Sequence, residues 1–171
     1  MSGGELHLLV TIGGCRAALP GAAVQAVVEI DRIVPVPLAP PHVAGLASLR
    51  SRALTVIDTR AALGLAPAGD ADERGGDGRA AVVRLGAHDY ALLVDRVEDV
   101  APAESDPLVL DTTLGPAWDR VARGCIETAQ GPAVLLDAAA LIEGETGQSR
   151  SGLQGEVNPS TIGRTAKPTG D

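Results

Sequence analysis

"GLASLRSRALTVID" (Gly45–Asp58) and "GCIETAQGPAVLLD" (Gly124–Asp137) are one pattern written twice, 79 residues apart. In each, Gly and Asp stand thirteen residues apart and an apolar strand runs up to the Asp. An alanine-rich stretch follows both, "TRAALG" after Asp58 and "AAALIEG" after Asp137. The pattern reads as a β-hairpin, and its first copy carries two arginines, Arg50 and Arg52, near the middle. Whether the echo extends outward decides the architecture, because a duplicated chain folds as two similar units.

It does extend. "IGGCRAALPGAAVQAV" (Ile12–Val27) falls on "LGAHDYALLVDRVEDV" (Leu85–Val100) at an offset of 73, without a gap. Gly13 meets Gly86, Ala18 meets Ala91, Leu19 meets Leu92, Val24 meets Val97 and Val27 meets Val100. The step from 73 to 79 places about six extra residues in the second copy, around "LGPAWDRVARG". The ordered series predicts two similar halves, residues 6–63 and 80–142.

Each half reads as mostly β. "LHLLVTI", "AVVRL", "ALLV" and "LTVI" are short runs rich in β-branched residues and leucine, and "GG" at 13–14 and "GAHD" at 86–89 sit where hairpin turns belong. "VPVPLAPP" (Val34–Pro41) holds four prolines in seven residues and reads as an extended connector, because proline cannot donate to a ladder. Short helices are expected after Asp58 and Asp137 as N-caps, stopping at Gly64 and Gly144. Many short strands and twelve prolines predict small barrels, an all-β class with short helices. "GLAPAGDADERGGDG" (Gly64–Gly78) lacks an apolar period and reads as a solvated linker, residues 64–79. The tail, residues 144–171, is poor in apolar residues, and disorder is expected there.

With 171 residues the chain can bury roughly two thirds of its unfolded surface without a metal or disulfide. It has no Phe, one Tyr (Tyr90) and one Trp (Trp118), so its core is aliphatic. A net charge of −8 argues against nucleic acid and anionic membrane surfaces, which need a cationic face. The opening "MSGGELHLLVTIGG" shows neither a cationic signal region nor a membrane-length apolar run. Cys15 and Cys125 have no metal or CxxC spacing and read as two reduced thiols, and a cytoplasmic location is expected.

No nucleotide-binding loop, HExxH or G-x-S-x-G motif occurs, and no cofactor or metal is implied. A small hydrolase would have to pair Cys15 or Cys125 with His7, His42 or His88. Asp58 and Asp137 already have a use as helix caps. A binding module is the stronger reading, with a groove between two barrels as its surface.

The order "VQAVVEI…VPVPLAPPHVAGLASLRSRALTVIDTRAALGL", "VVRLGAHDYALLVDRVEDV" and "RGCIETAQGPAVLLDAAALI" resembles CheW-type chemotaxis coupling proteins. Their pattern runs V-x-E-I, a P-x-A-P connector, G-V-x-N-L-R-G, P-V-x-D-L-R and later G-L-V-V-D-x-V-x-D-V. The resemblance spans about Leu6 to Ile142 and makes residues 1–143 one CheW-like domain. It implies two intertwined five-stranded SH3-like barrels and a non-catalytic adaptor. The implied partners are a chemoreceptor's cytoplasmic tip and the regulatory domain of a CheA-type histidine kinase, beneath membrane-associated arrays. Gly45, Leu49 and Arg50 fall on G-x-x-x-L-R, and Asp58 with Arg60 on D-x-R. Val24 and Val27 fall on the V-x-E-I strand near the receptor groove, and Val94, Asp95, Val97 and Val100 on the second-half segment.

The resemblance implies that Arg50 contacts receptor or kinase, whereas Arg52 has no such match and reads as a solvated turn charge. At least half of Val24, Val27, Val97 and Val100 are expected in the core, with the rest lining the groove. Set on Val24, the V-x-E-I frame puts Ala26 in place of the glutamate. Ser51 replaces the glycine of N-L-R-G, so a different turn type is expected there, and Thr55 replaces the proline of P-V-x-D. The alternatives are a CheW-like competitor that binds receptor or kinase without activating it, and the cysteine hydrolase.

Overall fold

A computed structural model describes residues 4–66, 78–111 and 114–144. Most of the segment read as a linker, and the tail beyond Gly144, lie outside the described residues. The first half runs β1 (Leu6–Ile12), β2 (Cys15–Pro20), β3 (Val24–Glu29), β4 (Val43–Leu49), β5 (Arg52–Asp58) and α1 (Thr59–Ala62). The second runs β6 (Arg79–Leu85), β7 (His88–Leu93), β8 (Arg96–Pro102), α2 (Pro116–Val121), β9 (Ala122–Thr128), β10 (Gly131–Leu136) and α3 (Ala138–Glu143).

The pseudo-repeat is therefore real at the level of elements. β1 and β2 recur as β6 and β7 at an offset of 73, and β4 recurs as β9 at an offset of 79. The helix α2 is the element that sequence reading missed. It occupies the extra residues, with Pro116 at its first position, where a missing N–H costs nothing.

The hairpins β1–β2, β4–β5, β6–β7 and β9–β10 pair within their own halves, but each sheet draws strands from both. One sheet has the order β8-β1-β2-β10-β9 and the other β3-β6-β7-β5-β4. Each half thus lends its third strand to the other: β3 pairs antiparallel with β6, and β8 with β1. The parallel pairs β2–β10 and β5–β7 complete two five-stranded, SH3-like units that are intertwined.

Three apolar clusters follow from this pairing. Leu54, Val56, Val82, Ala91 and Leu93 fill one unit. Leu9, Ala18, Ala101, Ile126 and Ala133 fill the other. The largest cluster lies between the units, where Leu8, Val10, Ile12 and Leu136 meet Ile57, Val83, Leu92 and Leu141. Burying each such side chain is worth about 1.5–3 kcal/mol, so the interface between units is the principal core. Trp118 of α2 and Val121 close one end of it.

Asp58 and Asp137 cap α1 and α3 as expected. Asp58 accepts from the amides of Arg60 and Ala61, and Asp137 from those of Ala139 and Ala140. Arg120 of α2 then ties the two helices together, donating to Ala140 O at 2.6 Å and to Ala62 O at 2.9 Å. A guanidinium on helix-terminal carbonyls complements both dipoles at once.

Candidate functional site

The edge strand β3 of one sheet lies against the β1–β8 edge of the other, and a groove of about 480 Å³ opens between them. Leu6, Leu8, Val24, Val27 and Val100 line it, with Glu5 and Gln25 as polar rim. Leu6 and Val100 are each 54% exposed and Val27 39%, a cost that a partner's apolar surface would relieve. Val27 and Val100 are repeat mates, so the groove sits where the duplicated strands approach one another.

The structure divides the other candidate residues by environment. Val24 and Val97 pack against the inter-unit core, and Val94 is buried in it. Leu49 is half-buried against the interior of its own unit. Gly45 is buried, at φ 147, and a Cβ there would overlap the Val34 carbonyl oxygen. Val34 and Leu46 exchange both main-chain hydrogen bonds at 2.8 Å, which clamps the proline connector across β4. Leu108 and Cys125 repeat this exchange beside Gly124, at φ 137. The glycine common to both copies is thus the place where a connector crosses a strand.

Asp95 accepts from the Gly13 amide at 2.7 Å and from Arg60 Nη1 at 2.8 Å. Arg60 also donates through Nε to Ala66 O, so these D-x-R and V-D residues join the two halves. Among the described residues Arg50 makes no ion pair, and it stands exposed at the β4–β5 turn.

Two readings are corrected here. The turn keeps Arg50 at φ 48 and Ser51 at φ 65, so the serine adopts the left-handed conformation instead of changing the turn. Two successive left-handed residues are what a tight hairpin of type I′ needs, and side chains there cost about 1–2 kcal/mol each. The V-x-E-I frame, set on Val27, reads Val27-Val28-Glu29-Ile30 without a mismatch. Glu29 ends β3 opposite Arg79, and the carboxylate read as lost at Ala26 is present three residues later.

The β6–β7 hairpin carries its own electrostatics. Arg84 donates to both oxygens of Asp89, at 2.8 and 3.1 Å. That side-chain bonding holds the Asp89 carboxyl below the ordinary carboxylate range, against a smaller opposing effect of burial. Arg52 reaches Asp89 only at 3.8 Å and its side chain is 73% exposed.

Among the described residues neither cysteine is paired with a histidine. Burial, and next the neighbouring Cys125, push the Cys15 thiol up, away from thiolate. Cys15 and Cys125 donate weakly to the main-chain oxygens of Arg16 and Ile126. His7 and His42 each bond a main-chain carbonyl, of Glu5 and Ile142, instead of a thiol. Among the described residues no group of His, Cys, Asp and Glu could hold a metal ion, and no helix is long and apolar enough to cross a membrane.

The comparisons with known proteins agree on the fold. The scaffolding protein TtCheW from Thermoanaerobacter tengcongensis superposes with a TM-score of 0.65 at 19% identity, over 79% of this chain and 85% of that one. No curated protein matches the sequence. The model of the CheW-like domain, a family of non-catalytic chemotaxis scaffolds, matches residues 6–146. The chain, with its intertwined pair of five-stranded units, belongs to the CheW-like domain family.

Proposed function

We propose that this protein is a coupling adaptor that seats the helical hairpin tip of a chemoreceptor in the groove between its two units. In the same reading it binds the regulatory domain of a CheA-type histidine kinase, on the cytoplasmic face of a membrane-associated array. The observation that carries the proposal is the apolar groove, where Val27 and Val100 remain exposed beside Val24. A narrow apolar trough with a polar rim suits the apolar stripe of an amphipathic helix. Gly45, Leu49, Val94, Asp95 and Val97 act from behind, fixing the strands that present this surface and Arg50.

Titration calorimetry with a receptor-tip hairpin and with the kinase regulatory domain tests the reading. Binding of both at tens of micromolar or tighter is expected, and binding of neither overturns it. Val27→Asp should weaken receptor binding by at least about tenfold, because a carboxylate in the trough loses its hydration without gaining a partner. In a reconstituted kinase assay the adaptor raises receptor-controlled phosphorylation, whereas a competitor would lower it.

A further inference from the structure

We infer that the cleft beside the Arg50–Ser51 turn accepts carboxylate side chains from a partner protein, with Arg52 as its principal cation. The cleft, about 550 Å³, is lined by Arg52, Thr55, His88, Asp89 and Tyr90. Four of these five can donate a hydrogen bond into it. Among the described residues its only carboxylate, Asp89, is already held at both oxygens by Arg84. Arg52, at 3.8 Å from Asp89 and largely exposed, is therefore surplus. Two arginines, Arg52 and Arg84, stand against this one aspartate, in a chain whose net charge is −8.

The other intertwined unit supplies an internal control. The positions equivalent to Arg52, Thr55, His88 and Tyr90 are Gly131, Val134, Cys15 and Ala17. The same topology thus forms without any of these donors, and there Arg16 reaches across to bond Gln130 O. The polar set of this unit is not required by the fold and remains available to a partner. Overall acidity disfavours anionic lipid and nucleic acid, whereas a local cationic cleft suits a protein segment bearing a few carboxylates.

The register also relates the cleft to the groove. Thr55 pairs with Tyr90, Tyr90 with Val83 and Val83 with Val24, one transverse row across four strands. Three strand spacings put the cleft about 14 Å from the groove wall at Val24. On a helix that distance is about nine to ten residues. Resting on the groove reading above, the inference specifies a helical partner with acidic residues that far beyond its apolar stripe.

The test is calorimetry of the receptor-tip hairpin on wild type, Arg52→Glu and Val27→Asp, at about 50 and about 300 mM NaCl. Arg52→Glu should weaken binding by about tenfold at low salt, with the loss shrinking at high salt. Val27→Asp should lose binding at both, as an apolar contact is not screened. Unchanged thermal midpoints confirm that the variants are folded, and Arg52→Lys should retain most of the affinity. Wild-type binding that Arg52→Glu leaves within about twofold at low salt overturns the cleft and spares the groove. Failure of the wild type to bind overturns the groove reading and the cleft with it. Arg52-dependent sedimentation with phosphatidylserine vesicles would assign the cleft to lipid and overturn the inference.

Discussion

A single missing carbon at Gly45 decides whether the proline connector can cross β4. The space that a Cβ would take is filled by the Val34 carbonyl oxygen, and φ 147 is a conformation that side chains rarely adopt. Gly14 has φ 79 but nothing within 4 Å of its would-be Cβ. Gly45→Ala should therefore cost about 3 kcal/mol or more, from clash and backbone strain together. Gly14→Ala should cost about 1 kcal/mol, from strain alone. Urea unfolding midpoints of the two variants measure the difference, and equal losses would remove the crossing as the explanation. At this scale the sequence was only partly legible. The recurrence of Gly45 as Gly124 was visible, but its cause was not, because the overlapping oxygen comes from a residue eleven positions earlier. Arg52, read as a solvated turn charge, does stand exposed, and that its charge is surplus appears only once Arg84 is seen to saturate Asp89.

Among the elements, the α3 cap and the β1–β8 edge carry carboxylates held below their ordinary range. Burial pushes the Asp137 carboxyl up, but Arg123 and the Ala140 and Ala139 amides outweigh it, and the net direction is down. The Thr11 hydroxyl is the main influence on Glu98 and, with Arg16, holds it below the ordinary range against desolvation. Depressed carboxylates stabilise the folded state above their unfolded pKa of about 4, and that contribution is lost as pH falls through the folded values. Stability should therefore be flat above about pH 5 and fall below about pH 4. Glu98→Gln should lower stability at neutral pH and flatten the acid limb, as read from thermal midpoints between about pH 7 and pH 3. An acid limb unchanged in this variant would show that Glu98 contributes nothing to it. Strands and caps were legible as elements because alternation and Asp-before-alanine signals are local. The helix α2 was not, since six residues opened by Pro116 give too short a period to register.

For the whole molecule, the exchange of β3 and β8 makes neither half independent. Residues 6–63 would expose β3 without β6, and β2 without β10. The core between units would also be open on one side. Each half expressed alone should lack a cooperative thermal transition, whereas mixing or co-expressing the halves should restore it and the dispersed amide spectrum. A single half that unfolds cooperatively would show that the exchange is dispensable. What the sequence determined by itself was the existence of two similar all-β halves, their strand positions and their helix caps. Those features rest on hydrophobic alternation, turn residues and repeat spacing, which act over a few neighbouring residues. Only the tertiary structure decided which strands share a sheet, that the main core lies between the units, and that Val27 and Val100 face one groove. Pairing between β3 and β6, or β1 and β8, joins residues 50–59 and 85–96 apart in the chain. Loop-closure entropy grows only as the logarithm of that separation, so the choice between pairing within and across halves falls to the packing of the assembled core.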